Sequence, residues 1–249
     1  MMAPEYPALP LPLIIQVGWA ALAGKQRNFR QDARRCTRGL SIHVMGSENM
    51  PTAGPGVIIF NHYSRPGFFM LWAVLALSAT LPADLHWTMT AAWTETGSFN
   101  SRLKAWISKR LFPRLANVYG FTAMPPMPPR QHETAERARA VRQVLAVARR
   151  STPTLIALAP EGQDSADGAL RKPPSGVGRF LAHLSKSGFI FFPLGVFETA
   201  ESLCLNFGIN FDLQIPPGLS PAQIDEFASE AVMRSLAELL PETMRGDYR

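Results

Sequence analysis

Three short stretches of the chain are apolar without a break: "GVIIF" at 56–60, "LIALA" at 155–159 and "FIFFPLGVF" at 189–197. Runs of this length, closed by turn residues, predict strands covered on both faces, although periodicity alone also fits buried helix. The first stops at Asn61-His62 and the second at Pro160-Glu161-Gly162. Between and after them the pattern changes to helical spacing. Residues 133–150 place Ala138, Val141, Leu145 and Ala148 on one face and arginines on others. Near the end, Ser220-Pro221 with Gln223 reads as an N-cap, a first-turn proline and a capping box. An apolar stripe of Ile224, Phe227, Ala231 and Leu236 follows. The proline-rich stretch 122–130 reads as a loop inside one domain, because strand–helix alternation resumes beyond it. The expected fold class is α/β: a mixed, mainly parallel sheet flanked by helices over residues 40–249.

Residues 8–24 interrupt this scheme. They are apolar apart from Gln16, with Pro10 and Pro12 shortening any helix, and no run reaches the ~20 residues of a spanning helix. The chain is 249 residues long and carries 25 Lys and Arg against 19 Asp and Glu, a net +6. That excess favours an anionic partner. Lys25, Arg27, Arg30, Arg34, Arg35 and Arg38 follow the apolar stretch directly, against the single acid Asp32. Apolar residues flanked by cations predict that segment 1–39 is a helical membrane anchor lying on anionic lipid, the alternative being a helix packed on the domain. No classical signal peptide is recognisable, so the expectation is a peripheral or monotopic protein on the cytoplasmic face of a membrane. The basic residues form no nucleic-acid recognition module, which makes the membrane the better anionic partner.

Other chemistries find no support. Cys36 and Cys204 are too few and too far apart for a disulfide scaffold and read as free thiols. The histidines and cysteines lack metal-ligand spacing. "PPSGVGRF" at 173–180 is neither a P-loop nor a dinucleotide fingerprint, and there is no Gly-x-Ser-x-Gly elbow. What remains are the polar groups at strand ends. In open α/β sheets ligands bind beyond the carboxyl ends of the strands, so Asn61-His62 and Glu161-Gly162 are expected to converge despite their separation in sequence.

The stretch "NHYSRPG" resembles the first motif of the glycerolipid (lysophosphatidate-type) acyltransferases, usually Asn-His-x-Ser-x-x-Asp. "APEGQDS" resembles their third, usually Pro-Glu-Gly-Thr-Arg-Ser, and "FFPLGV" their fourth, an apolar strand with a central proline. "VYGFTAMPP" at 118–126 lies where the second belongs, without its basic residue. The resemblance covers about residues 40 to 215, and three motifs in order are far more specific than one. It implies transfer of an acyl group from acyl-CoA or acyl-carrier protein to a glycerolipid hydroxyl, with no metal or cofactor beyond the thioester substrate.

Taken residue by residue, the resemblance makes His62 the base that removes the proton of the attacking hydroxyl. Asn61 and Ser64 shape its turn, and Glu161, Gly162 and Ser165 position the acceptor. Arg65 and Arg171, from their place beside these motifs rather than from the resemblance, are candidates to hold phosphate, the alternatives being a loop arginine paired with a surface acid and a solvated charged loop. Two departures stand out. The family aspartate that orients the histidine aligns with Gly67, and the family arginine that binds the acceptor's phosphate aligns with Asp164. One carboxylate explains both if Asp164 reaches His62 in space; Asp167 and Glu161 lie on the same loop. The alternatives are an enzyme working without an orienting acid and a catalytically degenerate protein of the same fold that binds lipid or acyl chains.

Overall fold

The computed structural model describes residues 4–93, 99–127, 130–149, 154–163, 165 and 167–249. Two helices, α1 (Leu11–Ala23) and α2 (Phe29–Cys36), precede strands β1 (Ile42–Met45) and β2 (Gly56–Phe60). Then come α3 (Leu71–Thr80), β3 (Leu85–Thr90), α4 (Phe99–Tyr119), β4 (Thr122–Met124), α5 (Thr134–Ala148) and β5 (Leu155–Leu158). The chain finishes with α6 (Val177–Lys186), β6 (Ile190–Glu198), β7 (Leu203–Phe207) and α7 (Pro221–Ala237). The strands form one sheet in the order β1-β7-β6-β2-β5-β3-β4. Every pairing is parallel except β6 with β7, which is antiparallel. This is the mixed, mainly parallel sheet that the apolar runs imply.

The three uninterrupted apolar runs become β2, β5 and β6, neighbours at the centre of the sheet. Their lack of alternation has a direct cause: both faces are covered. Ile58 and Phe60 of β2 point into a core with Trp72, Leu75 and Leu77 of α3 and with Ala33 and Cys36 of α2. Val57 and Ile59 point into a second core with Val144 of α5, Leu181 and Leu184 of α6, and Val232, Met233 and Leu236 of α7. Alternate residues of one strand thus feed opposite layers. Helices α6 and α7 meet at Gly178, where a β-carbon would lie 1.9 Å from the Asp225 carbonyl oxygen. The Asp225 carboxylate also accepts from the Gly176 and Arg179 amides at 2.7 and 2.9 Å, capping α6.

Pro193 sits inside β6 without breaking it. Its carbonyl accepts from the Gly208 amide just beyond β7. The missing N–H therefore faces the point where the β7 ladder has ended, and the ladder to β2 is intact.

Four strands, β1, β3, β4 and β7, were not apparent in the hydrophobic pattern. β4 corrects the reading of 122–130 as loop throughout, since Thr122–Met124 pairs with Thr88–Thr90 of β3. The helix faces are also corrected. α5 buries Ala140, Val144 and Val147, with Leu145 and Ala148 at the margin. α7 buries Ala228, Val232, Met233 and Leu236, while Phe227 is exposed. The capping box forms as expected: the Gln223 amide donates to Ser220 Oγ at 3.4 Å, and the Ser220 amide to Gln223 Oε1 at 2.9 Å.

Helix α1 buries Leu13 and Ala20 and lies against α4. Its large apolar residues Leu11, Ile14, Ile15, Trp19 and Leu22 are exposed, as are Leu103, Trp106, Ile107 and Leu111 of α4, while Val17 is partly buried against the core. Among the described residues no helix is long and apolar enough to cross a membrane. Both cysteines are free and buried.

Candidate active site

The turn after β2 is held by side chains that behave as backbone. Asn61 is buried, and its amide donates to the Val196 carbonyl at 2.8 Å and accepts from the Val196 amide at 2.7 Å. It continues the β2–β6 ladder one residue beyond the strand and so fixes where His62 emerges. Buried polar groups need such partners, and an asparagine supplies donor and acceptor together.

Glu161, after β5, completes the junction. Its Oε2 accepts from the His62 amide at 2.6 Å and its Oε1 from the Arg171 amide at 2.9 Å. The side chain is buried, and desolvation pushes its carboxyl above the ordinary range against the pull of the two amide donors. One carboxylate thus clamps the His62 loop to the loop after β5. The strand ends do bring Asn61, His62 and Glu161 together, and Glu161 meets His62 through the backbone.

The other expected residues gather around this clamp. Gly162 has φ +68°, a backbone region that favours glycine. Ser64 lies on the His62 loop, its carbonyl 3.1 Å from where a β-carbon on Gly168 would stand. Ser165 is buried, its hydroxyl without a hydrogen-bond partner among the described residues. Arg171 turns its half-exposed guanidinium to Asp167 at 2.6 Å, and Asp167 also accepts from the Ala169 amide at 3.1 Å, an attachment that lowers its pKa. Asp164 lies outside the described residues.

Arg65 has a fuller set of contacts than a phosphate ligand in waiting. Its Nε and Nη2 donate to the two oxygens of Glu198 at 2.5 and 2.6 Å, and Nη1 donates to the Pro66 carbonyl. Glu198 closes β6 and was overlooked in the sequence. The signal was there: a charged residue at the end of an apolar run, the same feature that singles out Glu161.

Gly67, in the position of the family aspartate, has φ +83°, and a β-carbon there would lie 3.2 Å from Arg65 Nη1. A carboxylate cannot be restored here without strain. Gly67→Asp is expected to cost about 1 kcal/mol of stability and, if the resemblance to acyltransferases holds for the chemistry, to leave the rate no higher, because the new acid competes with Glu198 for Arg65. Thermal unfolding and initial rates check this, and a rate above wild type would show that the carboxylate alone had been missing.

The fold and the clamp define an α/β protein with a histidine-bearing turn at the carboxyl end of its central parallel strands. The family model described as Acyltransferase matches residues 41–196, more than half of the chain. The chain belongs to the acyltransferase family. It is also similar to the crystal structure of the 1-acyl-sn-glycerophosphate (LPA) acyltransferase, PlsC, from Thermotoga maritima, at 15% identity, with 91% of this chain and 90% of that chain covered and a TM-score of 0.50. At that identity the likeness speaks for the fold. No curated protein sequence matches the chain.

Proposed function

We propose that the protein moves an acyl group from a thioester, acyl-CoA or acyl-carrier protein, to a hydroxyl of a glycerolipid, lysophosphatidate or a related lysolipid. The carrying observation is the junction of Asn61, His62 and Glu161 at adjacent strand ends in a chain of this family. His62 removes the proton as the hydroxyl oxygen attacks the thioester carbonyl carbon. A C–O bond forms, the C–S bond breaks, and the departing thiolate takes the proton from the imidazolium. Asp164, outside the described residues, is the acid proposed to assist His62. Asn61, Glu161 and Ser64 set the turn, Gly162 and Ser165 line the acceptor side, and Arg171, exchanging Asp167 for phosphate, holds the anionic end of a substrate, with Arg65 bracing the loop beside it.

The same reading places the protein on the cytoplasmic face of a membrane. Exposed apolar residues lie on both α1 and α4, two helices that contact each other. Lys25, Arg30, Arg34 and Arg38 follow α1 in sequence, a combination suited to anionic lipid. The left-handed Gly67 favours a second reading, a lipid- or acyl-binding protein that has lost the chemistry. Thiol release from long-chain acyl-CoA, and separately from acyl-carrier protein, decides between them when run against lysophosphatidate, monoacylglycerol and a lysophospholipid without a phosphate monoester. Release that depends on the acceptor is expected; silence with both donors and every acceptor would leave only binding.

A further inference from the structure

The contacts of Glu198 reach further than its ion pair. Oε2 accepts from Arg65 Nε and from the Tyr63 hydroxyl at 2.8 Å, while Oε1 accepts from Arg65 Nη2 and from the Tyr6 hydroxyl at 2.7 Å. Four donors saturate a carboxylate whose side chain is only 4% exposed. Burial pushes the Glu198 carboxyl up, but the hydrogen bonds from Arg65, Tyr6 and Tyr63 outweigh it and leave it below its usual range. The Tyr63 hydroxyl, desolvated and bonded to this acid, is pushed up to about 12 and stays a donor at neutral pH.

Of the three residues that supply these donors, Tyr63 and Arg65 lie on the loop that carries His62, and Tyr6 lies far away in sequence. Tyr6 belongs to the N-terminal segment before α1. Its ring packs edge-on against Phe68 and stacks on Trp72, each at 5.4 Å between centroids, and Phe68 in turn meets Tyr63 at 4.9 Å. Phe68 closes the loop and is buried. Strand β6 therefore grips residues 61–68 twice, through Val196 on Asn61 and through Glu198 on Tyr63 and Arg65. The N-terminal segment shares the second grip.

An ion pair with one partner buried is a poor device for stability alone, since apolar residues of similar volume often serve as well. What it does supply is fixed geometry, in a loop whose residue 67 carries no side chain. We propose that Glu198 is a positioning residue for the acyl transfer assigned above: it holds the His62 loop from its far side and, through Tyr6, makes that hold depend on how the N-terminal segment is seated. The inference rests on the acyltransferase reading for its chemistry, but the holding itself can be observed without substrate. Tyr6 lies shortly before the start of α1 at Leu11, so the segment that leads into that helix shares the hold on the loop.

Two measurements on the full chain test this. Amide hydrogen exchange over residues 61–68, without substrate, is expected to quicken in Glu198→Gln and, to a smaller extent, in Tyr6→Phe, with α6 and α7 unchanged. In acyl transfer, Glu198→Gln is expected to lower kcat by about 10-fold to 10²-fold with the thioester KM nearly unchanged, the signature of misplaced rather than missing groups. A quadruple variant, Tyr6→Phe, Tyr63→Phe, Arg65→Met and Glu198→Leu, separates positioning from stability. It is expected to regain thermal stability relative to Glu198→Gln while kcat stays low. Unchanged loop exchange in the single variants, or recovery of kcat with stability in the quadruple variant, would overturn the proposal. A wild-type protein that transfers no acyl group would instead overturn the functional reading, while the exchange experiment still shows whether Glu198 holds the loop.

Discussion

His62→Ala is expected to abolish acyl transfer, lowering kcat by about 10³-fold or more while leaving the fold intact. General-base catalysis by a placed side chain contributes 10² to 10⁴, and an unactivated lipid hydroxyl depends on it because so little of it is ionised near neutral pH. The backbone hydrogen bond from the His62 amide to Glu161 survives the substitution, as do both contacts of Asn61 with Val196. Thermal unfolding should therefore stay close to wild type. The decisive measurement is acceptor-dependent thiol release, wild type against variant. Equal rates would remove His62 from the mechanism and, with it, the case for chemistry at this turn.

The second large effect is expected at Glu161, and its origin is different. Glu161→Ala leaves the His62 and Arg171 amides without their acceptor in a largely buried place. Hydrogen bonds to a charged group contribute about 1.5–3 kcal/mol each, so a loss of about 3 kcal/mol is expected for the pair. Activity should fall with stability, because the clamp joins the His62 loop to the loop carrying Gly162, Ser165 and Arg171. Glu161→Gln should be intermediate: its amide oxygen still accepts from one donor, while its amide nitrogen faces the other. Denaturant unfolding beside initial rates checks both variants. A Glu161→Ala protein with wild-type stability and rate would show that the clamp does not organise the site.

These two residues show how differently a site can be written into a chain. His62 and Glu161 are legible because each ends an uninterrupted apolar run, and runs of that kind become central strands covered on both sides. Their convergence follows from parallel neighbours, β2 beside β5, which present their carboxyl ends together. The partner atoms are another matter. Glu161 reaches the His62 amide, a contact between residues 99 apart in sequence, and no local pattern specifies it. Arg65 announces a positive charge, but its acid lies 133 residues away at the end of β6. Tyr6, in a segment read as leading into a membrane anchor, meets the same acid across 192 residues.

The strands that escaped notice have physical reasons of their own. β1 is half-exposed along its length, and β4 is three residues long beside a proline-rich turn. Such strands take their pairing from a neighbour rather than from their own composition. The shifted faces of α5 and α7 make the same point for helices, since the buried stripe depends on where the sheet lies. By contrast, the Ser220–Gln223 capping box was readable in full, because donor and acceptor lie within one turn.

Composition and local order by themselves determined the α/β class, the central strands, the histidine-bearing turn and the basic, apolar N-terminal segment. Each depends on interactions that are short in sequence or on burial that marks a whole run. Only the tertiary structure decided that Glu161 clamps through backbone amides, that Arg65 is bound to Glu198, and that Tyr6 joins them. Those contacts depend on side chains brought together by the packing of the sheet, and a linear pattern records the residues but not the distances between them.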